Sequence, residues 1–322
     1  MSKGNKSTGE SLEKEADEEL KTSCCKTKPN YLDAIPLLKE AADLYNGSKQ
    51  YEKEIKCRYK LCTCFKNTKS FWEEGHEYEK IALVKIKHLK NYEDAFIDIK
   101  NGNASFFSEK DYNSGIKFIL KISKEYQNLK DNKFYTECLK IAYENIIKIY
   151  HVICFKNDEP KENVFIAIDE YISILIKNDD FNEAEKVIDN FLKKLKDEDK
   201  NNIDKIQKMN LWKLALFIVE GDFDNYETFK ENCDYDSNFK AIEKVKNSFE
   251  DFNEKKFKDG MNDLNYLFPN NFCNKLNLIF KNKKKDEKNK KIDLKDVIID
   301  MKEKKEIKKN NKNKNDDLDD LL

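Results

Sequence analysis

Glycine and proline are the scarce residues of this 322-residue chain: 8 and 4, where usual usage would supply roughly 23 and 16. Sandwiches, barrels and hairpin-rich folds consume turn residues in quantity, so all-β architecture is excluded. Arginine is scarcer still. Arg58 is the only one among 61 basic residues, so any cationic surface must be built of lysine point charges rather than bidentate guanidinium forks. Long hydrophobic runs are also missing. The longest, Leu211 to Val219, is interrupted by Lys213 and falls far short of the roughly 18 apolar residues of a membrane span; it reads as a buried helix. Met1 to Ser7 carries neither an apolar signal region nor a myristoylation pattern. The nine cysteines are too sparse for a disulfide scaffold and read as reduced thiols. The expectation is a cytoplasmic protein whose membrane contact is at most peripheral.

What is present is charge, 38% of residues, and the Lys, Glu, Leu, Ile and Asn of long helices with short polar connections. The near-neutral net charge of −1 conceals segregation: residues 281–315 carry +8, Asp316–Leu322 carries −4, and residues 1–280 carry −5. That mildly acidic body lacks a nucleic-acid-binding charge, and no nucleic-acid partner is expected.

Aromatic residues recur at Tyr31, Tyr51, Phe71, Tyr92 and Tyr112, a period of about twenty. A small residue follows three positions later in Tyr31/Ala34, Tyr92/Ala95 and Tyr112/Gly115, and again in Phe181/Ala184 and Phe257/Gly260. Polar residues such as Asn30, Asn91, Asp111 and Asp180 precede the starts and are favoured helix caps. Downstream, Ile35, Leu38, Ala41, Ala42 and Tyr45, or Ile116, Ile119, Leu120 and Ile122, form stripes at helical spacing. Two such helices per 40 residues make a helical hairpin, and stacked hairpins make a solenoid. A coiled coil would show unbroken heptads instead. Further helices are expected over Ile203–Val219, Asn238–Phe252, Lys256–Leu267 and Phe272–Phe280, with Pro269 between the last two. Pro36 falls inside the first repeat helix and either kinks it or shifts its start.

The resulting domain plan has a disordered segment 1–11, a helical repeat over 12–200 and a helical bundle over 201–280. A Lys/Asn-rich low-complexity tail over 281–322 follows. Within the tail, Ile292–Met301 is a segment able to fold on a partner. The tail's last residues, Asp316–Leu322, set leucines among aspartates in the manner of a short recognition peptide, or are simply an acidic tail.

Chemistry-bearing motifs are few. His76, His88 and His151 form no metal-ligand spacing, and Cys62-Thr63-Cys64 lacks the two-residue gap of a zinc or redox motif. Cys57 and Cys62 read as buried thiols. Glu73/Glu74 and Asp179/Asp180 read as solvated helix starts. No phosphate loop or nucleophile elbow is present. No metal, cofactor or catalytic residue is expected, and the chain reads as a non-enzymatic binding protein. Lys85, Lys87, Lys121 and Lys124 are candidate cations for a concave binding face, against the alternative of an ordinary solvated surface.

Several phrases carry a family likeness. Lys28-Pro-Asn-Tyr-Leu-Asp-Ala34, Leu38-Lys-Glu-Ala-Ala-Asp-Leu-Tyr45, Ser70-Phe-Trp-Glu-Glu-Gly75, Glu77-Tyr-Glu-Lys-Ile-Ala82 and Asp180-Phe-Asn-Glu-Ala184 resemble, in order and register over about residues 12–280, the soluble NSF attachment proteins (SNAPs). The Lys-Pro-Asn-Tyr opening is most similar to the gamma type. The resemblance implies an all-α, tetratricopeptide-like solenoid of antiparallel helices with a C-terminal helical bundle. It further implies an adaptor that coats a four-helix SNARE bundle and recruits and stimulates a hexameric NSF-type ATPase, in vesicle-mediated transport between the endoplasmic reticulum and the Golgi. Leu120-Lys-Ile-Ser-Lys-Glu-Tyr126 is similar to a family helix bearing a SNARE-contacting lysine, which selects Lys121 and then Lys124, with Lys85 and Lys87 as further candidates. Leu321, with Leu322 and Leu318 beside it, stands where the family has its ATPase-stimulating leucine. The family's membrane-contact loop corresponds to Thr22–Thr27. There Cys24 and Cys25 replace bulky apolar residues, so membrane assistance should be weaker at about 25 cal/mol per Å² buried, unless either cysteine is acylated. The basic tail is either composition bias or a tether near anionic lipid. The alternative to the whole reading is a generic tetratricopeptide scaffold in a multiprotein assembly.

Overall fold

The structure is a computed structural model that describes residues 8–22, 26–155, 162–199 and 201–287. Among these residues there is no strand. Fourteen α-helices follow one another: α1 (Gly9–Leu20), α2 (Tyr31–Gly47), α3 (Tyr51–Thr68), α4 (Phe71–Val84), α5 (Tyr92–Ser108), α6 (Tyr112–Asn128) and α7 (Asn132–Phe155), then α8 (Glu162–Lys177), α9 (Phe181–Glu198), α10 (Ile203–Glu220), α11 (Phe223–Phe229), α12 (Ser237–Asp251), α13 (Glu254–Leu264) and α14 (270–287). The architecture is the all-α, hairpin-repeat class expected of the sequence. Six aromatics of the repeat are each the first residue of their helix: Tyr31, Tyr51, Phe71, Tyr92, Tyr112 and Phe181.

The connections explain why the period is so short. At each turn one residue takes a left-handed conformation: Lys49 (φ +58°), Lys69 (+60°), Lys110 (+62°) and Lys130 (+59°). The next amide then reaches back five residues to a carbonyl of the finished helix. Gln50, Ser70, Asp111 and Asp131 donate to Tyr45, Phe65, Phe106 and Tyr126 at 2.8–3.1 Å, which satisfies carbonyls a helix end would otherwise leave open. That same residue starts the following helix. Asp111 Oδ1 accepts from the Ser114 amide at 3.1 Å, and Asp131 Oδ1 from Phe134 at 3.2 Å. The loops are two or three residues long, each ending in the left-handed residue and the cap, so consecutive helices fold back as tight antiparallel hairpins.

The single 21-residue interval, Phe71 to Tyr92, has its own cause. The helix begun at Phe71 continues into a π-helical turn, Lys85–Leu89, before Lys90 turns left-handed (φ +56°). A π turn absorbs one extra residue without breaking the helix.

Pro36 does not move the start of α2. It lies inside the helix, where its missing amide frees the carbonyl of Leu32, an exposed residue whose backbone can be served by solvent. Residues 9–11, expected to be disordered, instead open α1. Its capping box pairs Thr8 with Ser11, the Ser11 amide donating to Thr8 Oγ1 at 3.2 Å.

The chain divides into two compact units: residues 1–175 with 193–201, and 176–192 with 202–322. The boundary expected at 200/201 is therefore not a single cut, because α8 and α9 each contribute to both units. In the first unit, side chains also join helices two apart. Lys60 on α3 meets Glu13 and Asp17 of α1 at 2.9 and 2.6 Å, and Tyr59 on α3 donates to Asp98 of α5 at 2.7 Å. Lys121 on α6 pairs with Glu79 of α4, and Asn163 on α8 donates to Asn113 of α6 at 3.1 Å. Odd helices are stitched to odd and even to even, the signature of a two-layer hairpin array. Between layers the small residues of the register are pressed flat: Ala34, Ala95 and Gly115 are buried, and a Cβ on Gly115 would stand 2.9 Å from the Phe107 ring.

The second unit centres on α10, buried continuously from Met209 to Val219, as the apolar run Leu211–Val219 suggested. Lys213 within that run is neutralised by Glu185 and Asp189 at 2.9 and 2.7 Å. Trp212 packs edge-on against Phe268 and Phe272, ring centroids 4.4 and 5.1 Å away. Two sequence expectations shift here. Phe257 is not a helix start, because Asn253 Oδ1 accepts from the Lys255 and Lys256 amides and begins α13 at Glu254. The last helix does not stop at Phe280 but runs on through residue 287.

Candidate protein-interaction surface

The lysines singled out in the sequence fall on the first unit. Lys121 and Lys124 both project into solvent from α6, and Lys117, one turn earlier and also exposed, completes a stripe at i, i+4 and i+7. Lys117 was not among the sequence candidates, although this spacing was the signal for it. Lys121 is 59% exposed in spite of its contact with Glu79, and Lys87 is 47% exposed while 2.8 Å from Glu125. These two pairs bridge α4 with its π turn to α6, so Lys87, Lys121 and Lys124 share one region.

Lys85 is not part of it. The extra residue of the π turn rolls its side chain inward, where Nζ lies 2.7 Å from Asp98 Oδ2 and donates to the Tyr59 hydroxyl at 2.8 Å. Lys85 and Asp98 are both buried. Desolvation pushes the Asp98 carboxyl above its ordinary range despite the lysine. As a cation Lys85 is spent inside the unit and presents no charge to a partner.

Arg58 is consumed in the same way. Its guanidinium donates to Glu54 and Glu77 at 2.8 Å, with both carboxylates buried, and Asp43 stands 3.6 Å away. It forms part of the floor of a cavity of about 340 Å3 between α2, α3 and α4, rimmed by Lys39, Trp72 and Lys80. Three acids around one guanidinium leave that cavity no net positive charge with which to draw an anion.

His76, His88 and the cysteines of α3 sit in packed surroundings. His88 stacks on Tyr51 at 4.1 Å, and His76 packs edge-on against Trp72 and Phe106 while sharing a hydrogen bond with Glu79 at 3.1 Å. Cys57, Cys62 and Cys64 are buried, and desolvation pushes their thiols up, Cys57 to about 12 and Cys64 to about 11. Burial thus disfavours the thiolate, the form in which a cysteine reacts. Glu74 corrects the reading of Glu73/Glu74 as a solvated pair: it is buried, and burial raises its carboxyl against a counteracting hydrogen bond from Ser105. No group of three His, Cys, Asp or Glu able to hold a metal exists among the described residues.

Cys24, Cys25, Ile292–Met301, Leu318, Leu321 and Leu322 lie outside the described residues. Among the described residues no helix is long and apolar enough to cross a membrane. No protein-family model matches the chain, and a search of curated proteins finds no similar sequence.

Proposed function

We propose that the chain is a SNAP-like adaptor that binds SNARE bundles and brings to them an NSF-type ATPase, itself contributing no catalysis. The observation that carries the reading is the Lys117–Lys121–Lys124 stripe: three lysines projecting from a rigid helix of a hairpin array whose register resembles that family. Lysines of this kind suit a steering attraction to an acidic helical bundle, tolerant of register and sensitive to salt. Lys87 extends the patch, whereas Lys85 drops out of it. In this reading Leu321, with Leu318 and Leu322, engages the ATPase, and the protein works peripherally at endoplasmic reticulum, Golgi and vesicle membranes. Contact at Cys24 and Cys25 is correspondingly weak.

The test is binding to a purified SNARE bundle by the wild type and by Lys117→Glu/Lys121→Glu/Lys124→Glu, at low and moderate salt. Exposed pairs contribute about 0.2–1 kcal/mol each, so losing three, about 0.6–3 kcal/mol, should weaken binding about 3- to 150-fold and flatten its salt dependence. Lys240→Glu, an exposed lysine of the second unit, serves as control and should change nothing. Equal binding by the triple variant refutes the assignment of the surface. A wild type that neither binds the bundle nor accelerates the ATPase refutes the adaptor and leaves the scaffold reading.

A further inference from the structure

The second unit holds a groove that the adaptor reading does not use. It lies between α13 and α14 and encloses about 300 Å3, the volume of about ten liquid waters. Its floor is apolar: Phe257 and Phe280 stack face to face, centroids 4.0 Å apart and planes at 5°. Its rims are basic, with Lys258 on α13 and Lys281, Lys284 and Lys285 on α14. The last three, with Asn277, fall at i, i+4, i+7 and i+8 and so face one way along the helix.

One acid stands against these four lysines. Glu254 receives Lys284 at 2.8 Å and Lys258 at 3.1 Å, and the two ammonium groups hold its carboxyl down at about 2. Lys281 and Lys285 are exposed and have no carboxylate partner among the described residues. The lining therefore carries +3 over an aromatic floor. What fits it is an anionic segment that also has aliphatic side chains to lay on the rings.

The chain contains one such segment. Asp316-Asp-Leu-Asp-Asp-Leu-Leu322 has four carboxylates and three leucines in seven residues, with no basic residue. The 28 residues of 288–315 that precede it span about 40 Å at helical rise and about 100 Å fully extended, so α14 and the segment are joined by enough chain to meet. We propose that the α13–α14 groove binds the chain's own Asp316–Leu322, its aspartates against Lys281 and Lys285 and its leucines over Phe257 and Phe280.

The docking does not depend on the adaptor reading, but its consequence does. The leucines assigned there to the ATPase would be held by the protein itself until a stronger partner displaced them.

The test is fluorescence anisotropy with a labelled peptide of sequence Asp-Asp-Leu-Asp-Asp-Leu-Leu, free of ATPase and SNARE. The titrants are the full chain and the same chain lacking residues 316–322. At an effective concentration on the order of 1 mM, a segment of roughly 100 µM affinity should compete in cis and weaken peptide binding to the full chain about tenfold. The shortened chain should bind in a salt-sensitive way. Lys281→Glu/Lys285→Glu in the shortened chain should abolish binding, while Lys244→Glu, exposed outside the groove, should not; circular dichroism checks that each variant is folded.

Equal peptide affinity for the full and shortened chains overturns the proposal. So does binding that survives the double reversal, or no binding at all. A full chain whose masking of the peptide strengthens with protein concentration, together with a salt-sensitive dimer by light scattering, assigns the groove to a second copy and overturns docking in cis.

Discussion

The five left-handed lysines provide a quantitative test of how the hairpin array is built. An L-residue with a Cβ pays about 1–2 kcal/mol to enter this region, whereas glycine enters freely but gives up about 0.5–1 kcal/mol more chain entropy on folding. Glycine should therefore exceed alanine at these positions by about 0.5–1 kcal/mol. The comparison with alanine matters, because each lysine also faces the carbonyl end of the helix it terminates. A cation there contributes about 0.3–1 kcal/mol, which both replacements lose alike.

Lys49, Lys69, Lys110 and Lys130 are all exposed, so truncating them uncovers no core. The turns are separate sites, and their effects should add. A chain with all four replaced by glycine should be about 2–4 kcal/mol more stable than its all-alanine counterpart. Urea unfolding reads this as a shift in midpoint at unchanged slope. If the glycine and alanine chains unfold together, the left-handed turns are not what closes the loops. If the alanine chain is the more stable, the backbone argument is reversed.

Three further outcomes follow from buried groups. Arg58→Met strands Glu54 and Glu77 in the interior and should cost about 3–5 kcal/mol in chemical unfolding; a cost below about 1 kcal/mol would mean that the carboxylates reach solvent. Lys85→Met leaves Asp98 a buried carboxyl already raised above 3.8 by desolvation. A carboxyl that holds its proton more tightly when folded adds stability that is complete below its unfolded value and fades as pH rises through its folded one. The variant should therefore gain stability as pH falls from neutral into the acid range, and Lys85→Met/Asp98→Asn should lose that gain. Gly75→Ala puts a Cβ 2.8 Å from the Phe106 ring. Overpacking at about 1–3 kcal/mol should outweigh the gain of about 1 kcal/mol in helix propensity, read as a fall in thermal midpoint.

What could be read in the sequence was local. An aromatic at the first helical position, a small residue one turn on and a polar cap before it are all set within five residues, and these recur at Tyr31, Tyr92 and Tyr112. The second aromatic series was equally available: Tyr45, Phe65, Phe106 and Tyr126 supply the carbonyls that close each turn. So was the π turn, announced by one interval of 21 among intervals of 20. The short helix α11 was missed, although Asp222 caps it by accepting from the Asn225 amide at 3.1 Å, because seven residues do not establish a period. Lys85 and Glu74 could not be placed. Their burial depends on α5 packing against α4, and nothing within a turn of either residue encodes that contact.

The same distinction separates structural from functional charge. The interior cations are each matched by nearby acids: Arg58 by Glu54 and Glu77, Lys213 by Glu185 and Asp189, Lys246 by Glu227 and Glu250. Removing a partner from such a group leaves an uncompensated charge, which fixes it in place and makes it unfit for reversible binding. The α6 lysines are the opposite case. Lys117 and Lys124 are exposed, and Lys121 keeps its own side chain 59% exposed while it reaches the buried Glu79, so all three ammonium groups remain open to a partner's carboxylate. In the proposed adaptor, an acidic ligand that must be captured and released would meet Lys117 and Lys124 first, because both are exposed, while Lys121 would divide its charge between that ligand and Glu79.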